Sequence, residues 1–119
     1  MIAELANAYA GKTVAITGAS GYLATAILAA LGSAPARTLL VSRQTMKPMP
    51  GAESVRADVR AAASWQAIVS RADVIFHLAG NTSVYAAAED PAGSLASTVQ
   101  PLAHLVAACR SSCRKPRVV

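Results

Sequence analysis

Thr17-Gly18-Ala19-Ser20-Gly21-Tyr22-Leu23-Ala24 is the stretch on which the reading of this chain turns. It follows residues 12–17 (KTVAIT), a compact apolar run rich in β-branched residues that is expected to be a buried strand. It opens residues 21–31 (GYLATAILAAL), a run of helix formers that ends before Gly32 and Pro35. A glycine-rich turn between a strand and a helix suits an anion. Gly18 lets the chain turn tightly, and Gly21 lets the backbone approach a pyrophosphate with no Cβ in the way. The helix start points unpaired N–H groups and its positive dipole end at the phosphates. Ala24 takes the third small position, where the helix must pack close to the strand. A turn of this kind with no ligand is the plain alternative, and strand, turn, helix and spacing together weigh against it.

Working outward, apolar strands alternate with helices. Residues 2–10 (IAELANAYA) read as a lead-in helix, 38–42 (TLLVS) as a second strand and 53–57 (ESVRA) as a third, shorter one. Residues 44–52 (QTMKPMPGA), with two prolines and a glycine, form a loop that is too short for a proper connecting helix. Residues 60–70 predict a helix anchored by Trp65, Ile68 and Val69, and 72–78 (ADVIFHL) predict the next strand, followed by the turn Ala79-Gly80-Asn81. A long helix is expected over roughly 91–112, with Pro91 near its first turn and a kink or break at Pro101. Arg117-Val118-Val119 reads as the first residues of another strand. This pattern implies an α/β fold, a Rossmann-type doubly wound parallel sheet. The expected strand order is 3-2-1-4 with a fifth strand begun, all in one domain over residues 1–119.

The composition agrees with a packed domain. At 54% hydrophobic and 14% charged the chain is too apolar for disorder, and with only 4% aromatic residues its core must be built from Ala, Leu, Val and Ile. No charge occurs between Lys12 and Arg37, a span long enough to cross a bilayer. Its glycine and serine turns would leave backbone groups unsatisfied in lipid, so no membrane partner is expected. The start Met1-Ile2-Ala3-Glu4-Leu5 lacks a basic n-region, and the expected compartment is the cytoplasm. Cys109 and Cys113 stand one helical turn apart with no His or carboxylate near, so neither a metal site nor a disulfide is expected. Arg110, Arg114, Lys115 and Arg117 supply much of the net charge of +5. This reads as a solvated helix end, with nucleic-acid binding the lesser alternative because no aromatics are interleaved.

GKTVAITGASGYLA, then RADVIFHLAGNTSV, then DPAGSLASTVQPLAHLVAACR together resemble the extended branch of the short-chain dehydrogenase/reductases, which includes the nucleotide-sugar epimerases and dehydratases. The resemblance runs from about Gly11 to Val119, and the family pattern TGxxGxxG is met at Thr17, Gly18 and Gly21 with Ala24 for the last glycine. It implies that Ser20, Tyr22 and Leu23 lie along the diphosphate. It also implies that Asp58-Val59 borders the adenine, with Asp58 accepting from the exocyclic amine, and that Leu78-Ala79-Gly80 lies against adenosine and ribose. Asp58 reads equally well as the N-cap of the helix over 60–70. His77 reads as a strand residue under the helices rather than a catalyst. Thr98 stands where the family often has Asn before a valine, a departure that, with Pro101 nearby, sets this helix's cofactor contacts apart from the usual ones.

The cofactor type is read from the end of the second strand, Ser42-Arg43. An NAD site usually offers a carboxylate about 20 residues beyond the glycine motif for the ribose 2′-hydroxyl. This chain has no Asp or Glu between residues 5 and 52. Arg43, joined by Lys47, suits a 2′-phosphate instead, so NADP is expected, with NAD as the alternative. A surface Arg on a loop is the competing reading.

The family resemblance places a catalytic Ser or Thr and a Tyr-x-x-x-Lys pair after the fifth strand, and the sequence reaches Val119 before them. Tyr85 is followed at the Lys spacing by Glu89, which would raise a tyrosine pKa rather than lower it, so Tyr85 reads as a loop residue near the site mouth. The expected function is the dinucleotide-binding portion of an NAD(P)-dependent epimerase/dehydratase or reductase acting on a nucleotide sugar or secondary alcohol or ketone, not catalytic on its own. A non-catalytic NAD(P)-binding module or sensor is the alternative. With the fourth strand and last helix expected to lack a neighbour, the chain is expected to self-associate through an exposed sheet edge or to be marginally stable.

Overall fold

The β-branched apolar runs form the centre of the molecule, as a computed structural model of the chain shows for residues 2–47, 49–80 and 84–119. In chain order the elements are α1 (Ile2–Tyr9), β1 (Thr13–Thr17), α2 (Tyr22–Leu31), β2 (Arg37–Ser42), β3 (Ala52–Arg56), α3 (Ala62–Arg71), β4 (Val74–His77), α4 (Val84–Glu89), α5 (Pro91–Thr98), α6 (Gln100–Ser111) and β5 (Arg117–Val118). The strands make one parallel sheet in the order β3-β2-β1-β4-β5. The expected Rossmann-type α/β fold is thus present, with its fifth strand in place beside β4. Asn81, the third residue of the expected turn, and Pro48 in the expected loop lie outside the described residues, as does Met1.

Alternation along β1 sorts its side chains onto two cores. Val14 and Ile16 pack with Ala24, Leu31, Val74 and Phe76 on one face. Ala15 turns to the other, where Trp65, Ile68, Val69, Leu105 and Ala108 cover Leu39, Val41 and Ile75. A sheet buried on both faces needs apolar residues at both parities, which is why these strands read as continuous hydrophobic runs. Trp65 is fully buried, and its indole N–H donates to the Val59 carbonyl at 2.8 Å, so α3 is anchored without stranding a polar group.

Three connections differ from the sequence reading. The fourth strand and last helix were expected to lack neighbours, yet β5 pairs with β4 (Val74 with Arg117, Ile75 with Val118) and the His77 N–H donates to the Val119 carbonyl at 3.0 Å. The last helix, α6, packs on α3. Tyr85 is not in a loop: it lies on α4, where a run of alanines supports a short helix, and it is exposed. The long helix expected over roughly 91–112 is two helices, α5 and α6, joined at Val99, with Pro101 in the first turn of α6 where it has no N–H to donate to the preceding turn. The expected break at Pro101 therefore falls just before that proline.

At the end of the sheet away from the glycine turn, Asp73 accepts from the Thr13 N–H at 2.9 Å and pairs with Arg114. These contacts hold its carboxyl below the usual aspartate value, the Thr13 N–H being the larger cause. Lys115 donates to the Cys109 carbonyl at 2.6 Å, capping α6, so two cations of the basic tail are engaged within the fold. Cys109 and Cys113 are free thiols. Among the described residues no helix is long and apolar enough to cross a membrane.

Candidate functional site

Parallel strands with helices on both faces leave a crevice beyond their C-terminal ends, where the chain departs from β1 to one side and from β4 to the other. Here that crevice is a cleft of about 720 Å³. Its floor is the glycine turn. Gly18 sits at φ +65°, and a Cβ there would lie 2.9 Å from the Ala79 nitrogen and 3.0 Å from the Leu78 carbonyl carbon, so the turn lies directly against the segment leaving β4. Only glycine combines that φ with that approach. The Gly21 N–H donates to the Gly18 carbonyl at 2.9 Å, closing the turn, and Gly21 itself is the N-cap of α2 with no side-chain cap. The first turn of a ten-residue helix therefore opens on the cleft through a residue with no side chain to obstruct it.

Thr17 and His77 tie the two sides of the floor together. The buried Thr17 hydroxyl accepts from the Leu78 N–H at 3.0 Å and the Ala79 N–H at 3.2 Å, and lies 2.8 Å from His77 Nδ1. With both lone pairs occupied, its one proton goes to Nδ1, which makes His77 the neutral tautomer carrying hydrogen on Nε2. Burial acts in the same direction and lowers the His77 pKa from its ordinary value. The ring also meets Trp65 edge-on at 5.1 Å. His77 is thus a strand residue holding the floor, as the sequence reading has it.

The outer wall comes from the ends of β2 and β3. Ser42 and Arg43 leave β2, and the Ala57 N–H donates to the Ser42 carbonyl at 2.9 Å, which brings Asp58 and Val59 alongside. Asp58 is not an N-cap. The cap position of α3 is Ala61, without a side-chain hydrogen bond, because the helix starts too far along for Asp58 to reach its first N–H groups. Asp58 instead closes a local turn, accepting from the Arg60 N–H at 2.9 Å, while the Arg60 guanidinium binds both carboxylate oxygens, the shortest contact being 2.8 Å. The Arg60 guanidinium, then its backbone N–H, with further help from the charges of Arg60 and Arg43, hold the Asp58 carboxyl at a pKa of about 2.

The cleft walls bring together Gly18, Ser20 and Gly21 from the first turn, Ser42 and Arg43 from the second strand, Asp58 and Val59 from the third, and Leu78, Ala79 and Gly80 after the fourth. Lys47, expected to join Arg43, is exposed and stands outside the walls, as do three of the cofactor-binding candidates. Tyr22 and Leu23 are on the first turn of α2 with their side chains 93% and 56% exposed, and Thr98 is exposed at the end of α5. The neighbour of Thr98, Ser97, lines the cleft instead, with its hydroxyl donating to the Gly93 carbonyl at 2.8 Å. Sequence reasoning missed Ser97 because one residue along a helix turns the side chain by more than a quarter circle, beyond what a motif fixes. It also missed Val41, Gln44, Ala57 and Arg60. Of these only Arg60 left a signal, a cation two residues after an aspartate in a turn.

The residues fit a dinucleotide by two observations: a glycine cradle that a Cβ would fill, and an uncapped helix start opening on the cleft. Gly18, Ser20 and Gly21 could hold a diphosphate, and the β2 and β3 ends a nucleoside. Among the described residues no cluster of three metal-ligating side chains occurs.

A search among curated proteins finds none that matches. Solved structures do. Uronate dehydrogenase from Agrobacterium tumefaciens, solved as a Y136A mutant complexed with NAD, superposes with a TM-score of 0.75 at 26% identity over 92% of this chain and 40% of its own. Glucuronic acid dehydrogenase from Chromohalobacter salexigens gives 0.74 at 25% identity over 90% of this chain and 39% of its own. The Bordetella bronchiseptica enzyme WbmF in complex with NAD+ shares the fold, with a TM-score of 0.79 at 15% identity over 93% of this chain and 36% of its own. The chain thus spans well under half the length of each. The model of the NAD dependent epimerase/dehydratase family matches residues 14–119, nearly the whole chain, and the chain belongs to that family.

Proposed function

We propose that this chain is the dinucleotide-holding part of an NAD(P)-dependent epimerase, dehydratase or reductase acting on a nucleotide sugar or another secondary alcohol or ketone, and that it is not catalytic by itself. The observation that carries the reading is the Gly18–Gly21 turn, packed against Ala79 beyond the strand ends and continuing into an uncapped helix start. In this reading Gly18, Ser20 and Gly21, with the backbone of Tyr22 and Leu23, hold the diphosphate. Asp58 and Val59 border the adenine, and Leu78, Ala79 and Gly80 lie under the ribose, while Thr98 stands outside these walls at the end of α5. A bound nicotinamide would supply the hydride acceptor or donor. The residues of this chain would hold the diphosphate, adenine and ribose to which it is joined.

NADP is the favoured cofactor, because Arg43 directly follows β2 and that strand end carries no carboxylate of its own for a ribose 2′-hydroxyl. The NAD in the uronate dehydrogenase complex supports a nicotinamide dinucleotide in general, and the two sugar-acid dehydrogenases support a sugar-derived substrate. A cytoplasmic location is part of this reading. Self-association through the outer edge of β5, where Val118 and Val119 are exposed, belongs to the same reading.

The test is calorimetric titration of the chain with NADP and with NAD. Saturable binding of either supports the reading, and tighter binding of NADP supports the cofactor assignment. A folded chain that takes up neither dinucleotide overturns it.

A further inference from the structure

We propose that Arg60 is the second arm of a 2′-phosphate site, closing with Arg43 on the same phosphate monoester. The proposal rests on the dinucleotide reading of the cleft and adds a residue that the motif does not supply.

The ionisable side chains on the cleft wall are Arg43, Asp58 and Arg60, two cations against one anion. A third guanidinium, that of Arg56, stands beside them, its Nε donating to the Arg43 carbonyl at 3.2 Å. A neutral ribose hydroxyl offers nothing to offset this surplus. A phosphate monoester, carrying about −1.5 to −2 charges near neutral pH, does. The same geometry disfavours the other use of the site. Asp58 is the carboxylate on the wall that could accept from a 2′-hydroxyl, and both its oxygens are engaged by Arg60, at 2.8 to 3.2 Å.

Arg60 is also held ready. Asp58 grips the Nε and Nη2 edge of the guanidinium, so the Nη1 edge is the one presented to a second oxyanion. Its backbone is fixed by the Arg60 N–H bond to Asp58 at 2.9 Å, and the preceding Val59 carbonyl is pinned by the Trp65 indole at 2.8 Å. A planar fork on a rigid base loses little freedom when a phosphate arrives. In this arrangement Asp58 orients the arginine toward the cleft.

The experiment measures dissociation constants of NADP and NAD by calorimetry, at fixed salt and near neutral pH, for the wild-type chain, Arg60→Gln, Arg60→Lys and Arg43→Gln, with a melt of each variant as the folding control. A lost charge-assisted contact to phosphate predicts about tenfold weaker NADP binding for Arg60→Gln, with NAD affinity held or improved as Asp58 is released. Arg60→Lys, which keeps the charge without the fork, should fall between the two. Equal weakening of NADP and NAD in Arg60→Gln, or no change in either, overturns the assignment while the dinucleotide reading stands. Wild-type binding of NAD that equals or exceeds that of NADP overturns it in the same way. Failure of the folded wild-type chain to bind either dinucleotide removes both.

Discussion

Gly18 and Gly21 share a turn, yet their substitutions should separate stability from binding. At Gly18 an added Cβ meets the Ala79 backbone at 2.9 Å and the residue sits at φ +65°, so Gly18→Ala should destabilise the fold by about 1–3 kcal/mol or more. At Gly21, with φ −82°, the nearest atom to an added Cβ is the Gly18 oxygen at 3.2 Å, a contact the turn can relieve by a small shift. Gly21→Ala should keep most of the stability in urea unfolding but weaken dinucleotide binding by about tenfold or more, because its methyl enters the path of the diphosphate. His77 supplies a pH prediction. Its folded pKa lies below the unfolded value of 6.5, so in that window the unfolded chain binds the extra proton and stability falls as pH falls. Glu53, Asp58 and Asp73 are also depressed in the folded state, from 4.5, 3.8 and 3.8, so their losses begin at lower pH. His77→Asn should flatten the upper window and leave the lower one, as urea unfolding across pH would read. The glycines were legible in the sequence because their jobs are local, a φ or a missing Cβ. The Asp58–Arg60 pair was not, because whether an aspartate caps a helix or closes a turn depends on a helix start that sequence places only to within a few residues.

Element by element, legibility follows length. The apolar strands and the helices over α2 and α3 repeat their pattern often enough to be read, and the break before Pro101 follows from its missing N–H. The six residues of α4 are too few to show a period, which is why Tyr85 read as loop. The two-residue β5 was legible only as a β-branched start, and its pairing depends on backbone bonds to Asp73 and Ile75 that no local pattern reveals. The start of α5 carries a prediction of its own. Asp90 accepts from the Gly93 N–H at 3.0 Å, and a Cβ on Gly93 would fall 2.1 Å from the Asp90 carboxylate, so cap and glycine form one unit. Asp90→Ala should cost about 1 kcal/mol in urea unfolding. Because α5 brings Ser97 to the cleft, a modest loss of dinucleotide affinity should accompany it.

For the whole molecule, the two sheet edges are guarded unequally. On β3, Glu53 pairs with Arg71 and Arg37, the kind of charge that discourages edge-to-edge pairing. On β5, Arg117 is followed by Val118 and Val119, 44% and 58% exposed. Size-exclusion elution is therefore expected to depend on concentration, and Val118→Lys should shift it toward monomer. A sharp monomer peak at every concentration, with a steep melt, would count against self-association. The cleft itself is assembled from the ends of four strands, so its occupation should stabilise the entire sheet rather than one loop. Thermal melts of the chain with NADP, with NAD and without ligand read that directly. A ligand that binds only the folded state, present at about a hundredfold over its Kd, adds about 2.7 kcal/mol. The expected result is a rise in Tm with both dinucleotides, larger with NADP; a cooperative melt unmoved by either would contradict a dinucleotide-binding cleft.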